Sequence, residues 1–87
     1  MKLEIEKVKD GTFTSRGIGK NGKLIFANHD ANTKQAAYKN LIADAKGWAN
    51  LFGLTGADVS KVKNNPKLLI THSYGAKAII DVKEINC

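Results

Sequence analysis

Two dipeptides, Asp10-Gly11 and Asn21-Gly22, constrain this chain more than anything else in it. Each suits a two-residue hairpin turn, because glycine accepts positive φ at little steric cost. Before the first, Leu3 and Ile5 alternate with Glu4 and Glu6, the period of a half-buried strand. Val8 breaks that phase, which allows a bulge near Lys7. A second strand is expected over about 12–19, with Phe13, Ser15 and Gly17 on one face, and a third over 24–27. The expectation is a three-stranded antiparallel meander.

That placement also decides a motif. Gly17-Ile18-Gly19-Lys20-Asn21-Gly22 matches the glycine spacing of a dinucleotide-binding loop. Such a loop must follow a strand and open a helix, so that the helix N-terminus meets the pyrophosphate. Here the glycines lead into Lys23-Leu24-Ile25-Phe26, a strand, and the next helix start lies ten residues on. The glycines are read as a softened strand end and a turn, and no cofactor is expected.

Asn28-His29-Asp30-Ala31-Asn32 is a polar break, with Asn32 as helix N-cap and Gln35 three residues later. From Thr33, Ala37, Tyr38, Leu41, Ile42 and Ala45 fall at helical spacing, while Lys34, Lys39, Asn40 and Lys46 lie off that stripe. The stripe predicts one main helix covering the sheet. It carries too few bulky apolar residues for a membrane-surface helix. Trp48, Leu51, Phe52 and Leu54 prolong it, so the helix either runs through Gly47 or kinks or ends there. Trp48 and Phe52 are read as core, with an exposed anchor for a partner as the alternative.

Asn21, Gly22, Lys23, Leu24 and Ile25, followed by Lys34, Ala37 and Leu41 or Ile42, resemble the pattern of the small YegP-like bacterial domains. The similarity spans residues 3–46. The aromatic–arginine alternation usual in that family's second strand is reduced here to Phe13 and Arg16. The resemblance implies a small bacterial or phage-type domain and a fold, and it implies no activity, because the family has no settled one.

Thr55-Gly56-Ala57-Asp58 has capping-box spacing with Asp in place of Glu, which predicts a short second helix or turn over 56–63, ended by Asn64-Asn65-Pro66. Two apolar runs, 68–72 and 78–82, joined through Ser73-Tyr74-Gly75, read as a C-terminal hairpin with at least one strand central or covered on both faces. The expected fold is α+β in a single domain, 1–87: meander, main helix, short second helix or turn, C-terminal β-hairpin.

The chemistry of an enzyme is missing. No Ser-His-Asp order, catalytic carboxylate pair, HExxH, P-loop or CxxC occurs. His29 beside Asp30 is a base with its orienting acid, a ligand pair with Cys87, or by default a surface histidine; whether His29, His72 and Cys87 meet in space is left open. No metal site is expected. The lone cysteine cannot form an internal disulfide and fits a reducing, cytoplasmic setting. The N-terminus has no signal-peptide core, and no apolar run approaches the ~20 residues of a membrane span.

Fourteen Lys and Arg against eight Asp and Glu give a net charge of +6. Thirteen of those cations are lysine and are scattered along the chain; only Arg16 offers a bidentate fork. The leading expectation is therefore a non-catalytic interaction module with a protein partner or with itself, as a homodimer. Trp48, Phe52 and Tyr74 are its candidate partner-binding residues. The alternative is weak, sequence-independent nucleic-acid binding through Arg16, Lys20 and Lys23.

Overall fold

In the computed structural model, residues 2–51 and 57–87 are described, the side chains of Asn50 and Leu51 excepted. The chain order is β1 (Lys2–Lys7), β2 (Phe13–Ile18), β3 (Leu24–Ala31), α1 (Lys34–Leu51), β4 (Asp58–Lys61), β5 (Lys67–Thr71) and β6 (Lys77–Ile85). The strands form one six-stranded sheet in the order β3-β2-β1-β6-β5-β4. Every neighbouring pair is antiparallel except β1 and β6, which run parallel. The sheet curls into a half-barrel, and α1 packs against β1, β2, β3 and β4.

This overturns the expected meander with a separate hairpin. The cause is β6, whose nine residues serve two partners. Its first half pairs with β5 and its second half with β1, placing Val82 beside Leu3. The predicted second helix over 56–63 is also replaced. Among the described residues there, β4 is extended, with Val59 buried between exposed Asp58 and Ser60. Period two thus prevailed over the capping-box spacing. Thr55 and Gly56 lie outside the described residues.

Three hairpin loops share one design. Val8 and Thr12, Gly19 and Lys23, and His72 and Ala76 close them by N–H to C=O bonds of 2.9, 2.8 and 2.8 Å. Each encloses three residues, with Gly11, Gly22 or Gly75 last and at positive φ. This is a type I turn followed by a glycine bulge, not the two-residue turn expected from the dipeptides.

Helix α1 runs straight through Gly47 to Leu51. Its cap lies one residue later than expected: Thr33 Oγ1 accepts the Ala36 N–H at 3.0 Å. Ala37, Tyr38, Leu41, Ala45 and Ala49 are buried against Leu3, Ile5, Val59, Leu68, Ile70 and Val82. Three of those five helix residues, Ala37, Ala45 and Ala49, are alanine, and small side chains let the helix axis sit deep in the curled sheet. Among the described residues no helix is long and apolar enough to cross a membrane.

Candidate functional site

Strand directions define two ends of the sheet. Strands β1, β3, β4 and β6 all start at one end, which also carries the β2–β3 loop and the β5–β6 loop. Among the described residues, the large hydrophobics with the greatest exposure all lie at this end. Leu24 and Ile25 open β3, Tyr74 tips the β5–β6 loop, and Ile79 lies early in β6, with exposures of 61%, 38%, 77% and 63%. Lys2, Lys20, Lys23 and Lys77 are exposed around them.

Tyr74 is not a loose side chain. Its ring stacks on His72, with centroids 5.4 Å apart and planes 6° from parallel. The His72 Nδ1 beneath is buried without a hydrogen-bond partner among the described residues. Between the start of β1 and the first half of β6 lies a groove of about 500 Å³, lined by Lys2, Leu3, Ile79, Ile80, Asp81 and Lys83, among others.

The residues singled out from sequence are dispersed. Arg16 projects from the sheet face opposite α1, where Nε donates to Glu4 Oε1 at 2.8 Å and Nη2 to Glu6 Oε1. The bonds to Glu4 and then Glu6 hold its proton even more tightly than usual. Its fork is therefore satisfied within the chain. Lys20 and Lys23 sit exposed in the β2–β3 loop. Trp48 is half-buried on α1. Phe52 lies outside the described residues, as does Leu54.

His29, His72 and Cys87 do not meet. His29, on edge strand β3, has its Nδ1 3.2 Å from Oγ1 of Thr14 on β2, whereas His72 sits at the β5–β6 loop and Cys87 Sγ lies 3.7 Å from Ile5 O. Among the described residues no group of three or more His, Cys, Asp or Glu side chains is arranged to hold a metal ion.

Sequence reading missed a polar cluster at the opposite end. Tyr38 donates its hydroxyl to Glu84 Oε2, Lys34 Nζ lies 3.3 Å from Glu84 Oε1, and Lys61 Nζ lies 5.0 Å from the Tyr38 ring centroid. The Tyr38 bond, with help from Lys34, holds the Glu84 carboxyl below its ordinary value against a smaller opposing effect of burial. Burial, then Glu84, pushes the Tyr38 phenol well above its own. A carboxylate satisfied by a phenol and an ammonium is a brace between α1 and β6. It was invisible because residues 38 and 84 are joined only by the fold.

Ile79 was missed for a different reason. The runs 68–72 and 78–82 read as a pair of which at least one is central or covered on both faces, and the face of the second that carries Ile79 has no covering element among the described residues. No protein family, curated protein or solved structure matches this chain.

Proposed function

We propose that this chain is a non-catalytic interaction module that binds protein partners, itself included, through the sheet end bearing the β2–β3 and β5–β6 loops. One observation carries the reading: Leu24, Ile25, Tyr74 and Ile79, the large hydrophobics most exposed among the described residues, gather at that end. Although β2 and β1 separate β3 from β6, exposed large apolar side chains held to one end of the sheet, rather than spread over the whole surface, favour a contact surface there. The edges support it. Strand β4 is a short edge of four residues that includes Lys61, a protected design. Strand β3 is an eight-residue edge with no lysine between Leu24 and Ala31, and its hydrophobic start invites a second copy.

The nucleic-acid alternative loses support on two counts. Arg16 is committed to Glu4 and Glu6. The lysines are spread over both ends of the sheet and over α1, without a single basic face. The YegP-like resemblance stays part of the proposal and adds no activity to it. The lone thiol of Cys87 suits a reducing compartment, so the reading places the protein in the cytoplasm.

Light scattering after size exclusion tests self-association. The wild type is expected to approach twice the monomer mass as concentration rises, and the Leu24→Lys/Tyr74→Lys variant to remain monomeric with an unchanged circular dichroism spectrum. A wild type that stays monomeric at millimolar concentration overturns the homodimer.

A further inference from the structure

Two of the hairpin loops share a backbone and differ in one functional group. In both, the glycine N–H donates back across the turn, Gly11 to Val8 O and Gly22 to Gly19 O, each at 3.0 Å. Both glycines are exposed, at positive φ, with nothing within 4 Å of a built Cβ, so the backbone there is open to solvent. The residue before the glycine is Asp10 in the first loop and Asn21 in the second. Asp10 Oδ1 accepts two bonds from Thr12, from its N–H at 2.9 Å and its hydroxyl at 2.6 Å. The hydroxyl bond, then the N–H bond, holds that carboxyl below its ordinary value and therefore ionised near neutral pH. An ionised carboxylate resists attack by a nucleophile. Asn21 instead carries a neutral carboxamide, whose Oδ1 accepts the Lys23 N–H at 3.2 Å. A bond donated to that oxygen draws electrons from the carbon beside it.

The other asparagines lack the second half of this arrangement. Of eight in the chain, only Asn21 precedes a glycine. Asn40 and Asn50 lie within α1, where the next N–H is tied into the helical ladder. Asn65 precedes Pro66, which has no N–H. Asn28 is half-buried and donates its amide to Asp44 Oδ2.

We infer that Asn21–Gly22 is a site of spontaneous backbone modification, where the folded chain converts its own asparagine to isoaspartate with water as the co-reactant. When the loop opens, the Gly22–Gly19 bond breaks and a solvent base takes the Gly22 amide proton. The Gly22 nitrogen bonds to Asn21 Cγ, the Cγ–Nδ2 bond breaks, and ammonia leaves with a proton from water. Water then opens the cyclic imide. Cleavage between the Gly22 nitrogen and the main-chain carbonyl carbon of residue 21 leaves the chain running through Cβ and Cγ, which is isoaspartate. Cleavage of the newly formed bond leaves aspartate. The sum is amide and water to carboxylate and ammonium, with nothing oxidised or reduced. Isoaspartate adds one main-chain atom inside the loop closed by Gly19 N–H and Lys23 O, and it sets a carboxylate between exposed Lys20 and Lys23. The three-residue loop geometry is then lost, three positions before Leu24. The event therefore ages the proposed contact end, but its chemistry does not depend on the interaction-module reading.

The test is to hold the folded full chain in mildly alkaline buffer for weeks and map its peptides by mass spectrometry, with enzymatic methylation of isoaspartate as a second readout. A gain of one mass unit is expected at Asn21, at least roughly tenfold sooner than at any other asparagine, because glycine alone leaves the attacking nitrogen bare. Asp10 should yield no comparable isoaspartate. Asn21→Gln, which must close a larger ring, should remove the signal while keeping the wild-type circular dichroism spectrum. In the converted chain, hydrogen exchange at the Gly19 amide should quicken, because the bond closing the loop is lost; in Asn21→Gln kept under the same conditions it should not change. Earlier conversion at another asparagine, equal isoaspartate at Asp10, or conversion at Asn21 only after unfolding in urea overturns the inference. Conversion that leaves Gly19 exchange unchanged overturns the loss of the loop. A wild type that stays monomeric in light scattering sinks the homodimer and leaves the modification site standing.

Discussion

Gly17→Ala is the substitution whose consequence the structure fixes most sharply. Gly17 is buried in β2 opposite Phe26, and a Cβ built on it would stand 2.5 Å from Phe26 Cζ and 2.6 Å from Cε2. Carbon atoms in contact prefer about 3.5–4.0 Å, so the ring must retreat by roughly 1 Å or more. It lies across the glycine and packs against the core edge, and swinging it out forfeits part of that burial. Overpacking a well-filled site costs about 1–3 kcal/mol. Because Phe26 is only partly buried and its ring tip is the atom displaced, we expect about 1–2 kcal/mol. For a domain of this size that lowers Tm by roughly 5–15 °C. The assay is a thermal melt by circular dichroism, repeated in a Phe26→Leu background. There the obstruction is removed, and Gly17 does not have the positive φ of Gly11, Gly22 and Gly75. Alanine should then be neutral or stabilise by about 0.4–1 kcal/mol, through loss of unfolded-state freedom. A reversal of sign between backgrounds is the signature. An equal cost in both backgrounds, or a melt unchanged in the first, refutes the reasoning.

Other consequences are equally open to measurement. Gly47 lies mid-helix and exposed, with nothing within 4 Å of a built Cβ, so Gly47→Ala should stabilise by about 0.5–1 kcal/mol in urea unfolding. Leu41 is fully buried, and Leu41→Ala should cost about 2–5 kcal/mol, enough to leave little folded protein near the melting range. Arg16→Met leaves Glu4 and Glu6 facing each other on one side of β1; it should destabilise by about 1–2 kcal/mol at neutral pH in the same assay, with the loss shrinking in acid. Glu84 is held below its ordinary value, so its contribution is present above the unfolded-state value and is lost as pH falls through the folded one. Tyr38→Phe removes the main cause of that shift, and its stability should therefore fall less steeply below about pH 4.5 than that of the wild type.

What the sequence discloses here is local, and what it conceals is long-range. Gly11, Gly22 and Gly75 mark their hairpins because positive φ is a property of one residue, although three-residue loops replaced the two-residue turns. The buried stripe on α1 is likewise legible from spacing within one segment. The parallel junction of β1 and β6 is not, since nothing local to Leu3 refers to Val82. The same limit hid the Tyr38–Glu84 brace. Asp58 misled because cap spacing and strand alternation compete over four residues, and pairing with β5 decided between them. At the candidate site, Tyr74 stood out as an aromatic in a turn. Ile79 did not, because an apolar run looks covered until the sheet shows which side lacks a neighbour.

The most direct test of the interaction end is a dilution series followed by amide NMR. If the chain associates through that end, resonances of Leu24, Ile25, Tyr74 and Ile79 should move together as concentration rises from micromolar to millimolar. Those of Asp10, Asn64 and Cys87, at the opposite end of the sheet, should stay fixed. Spectra that do not change with concentration, or changes centred on Asp10, Asn64 and Cys87, would contradict the account.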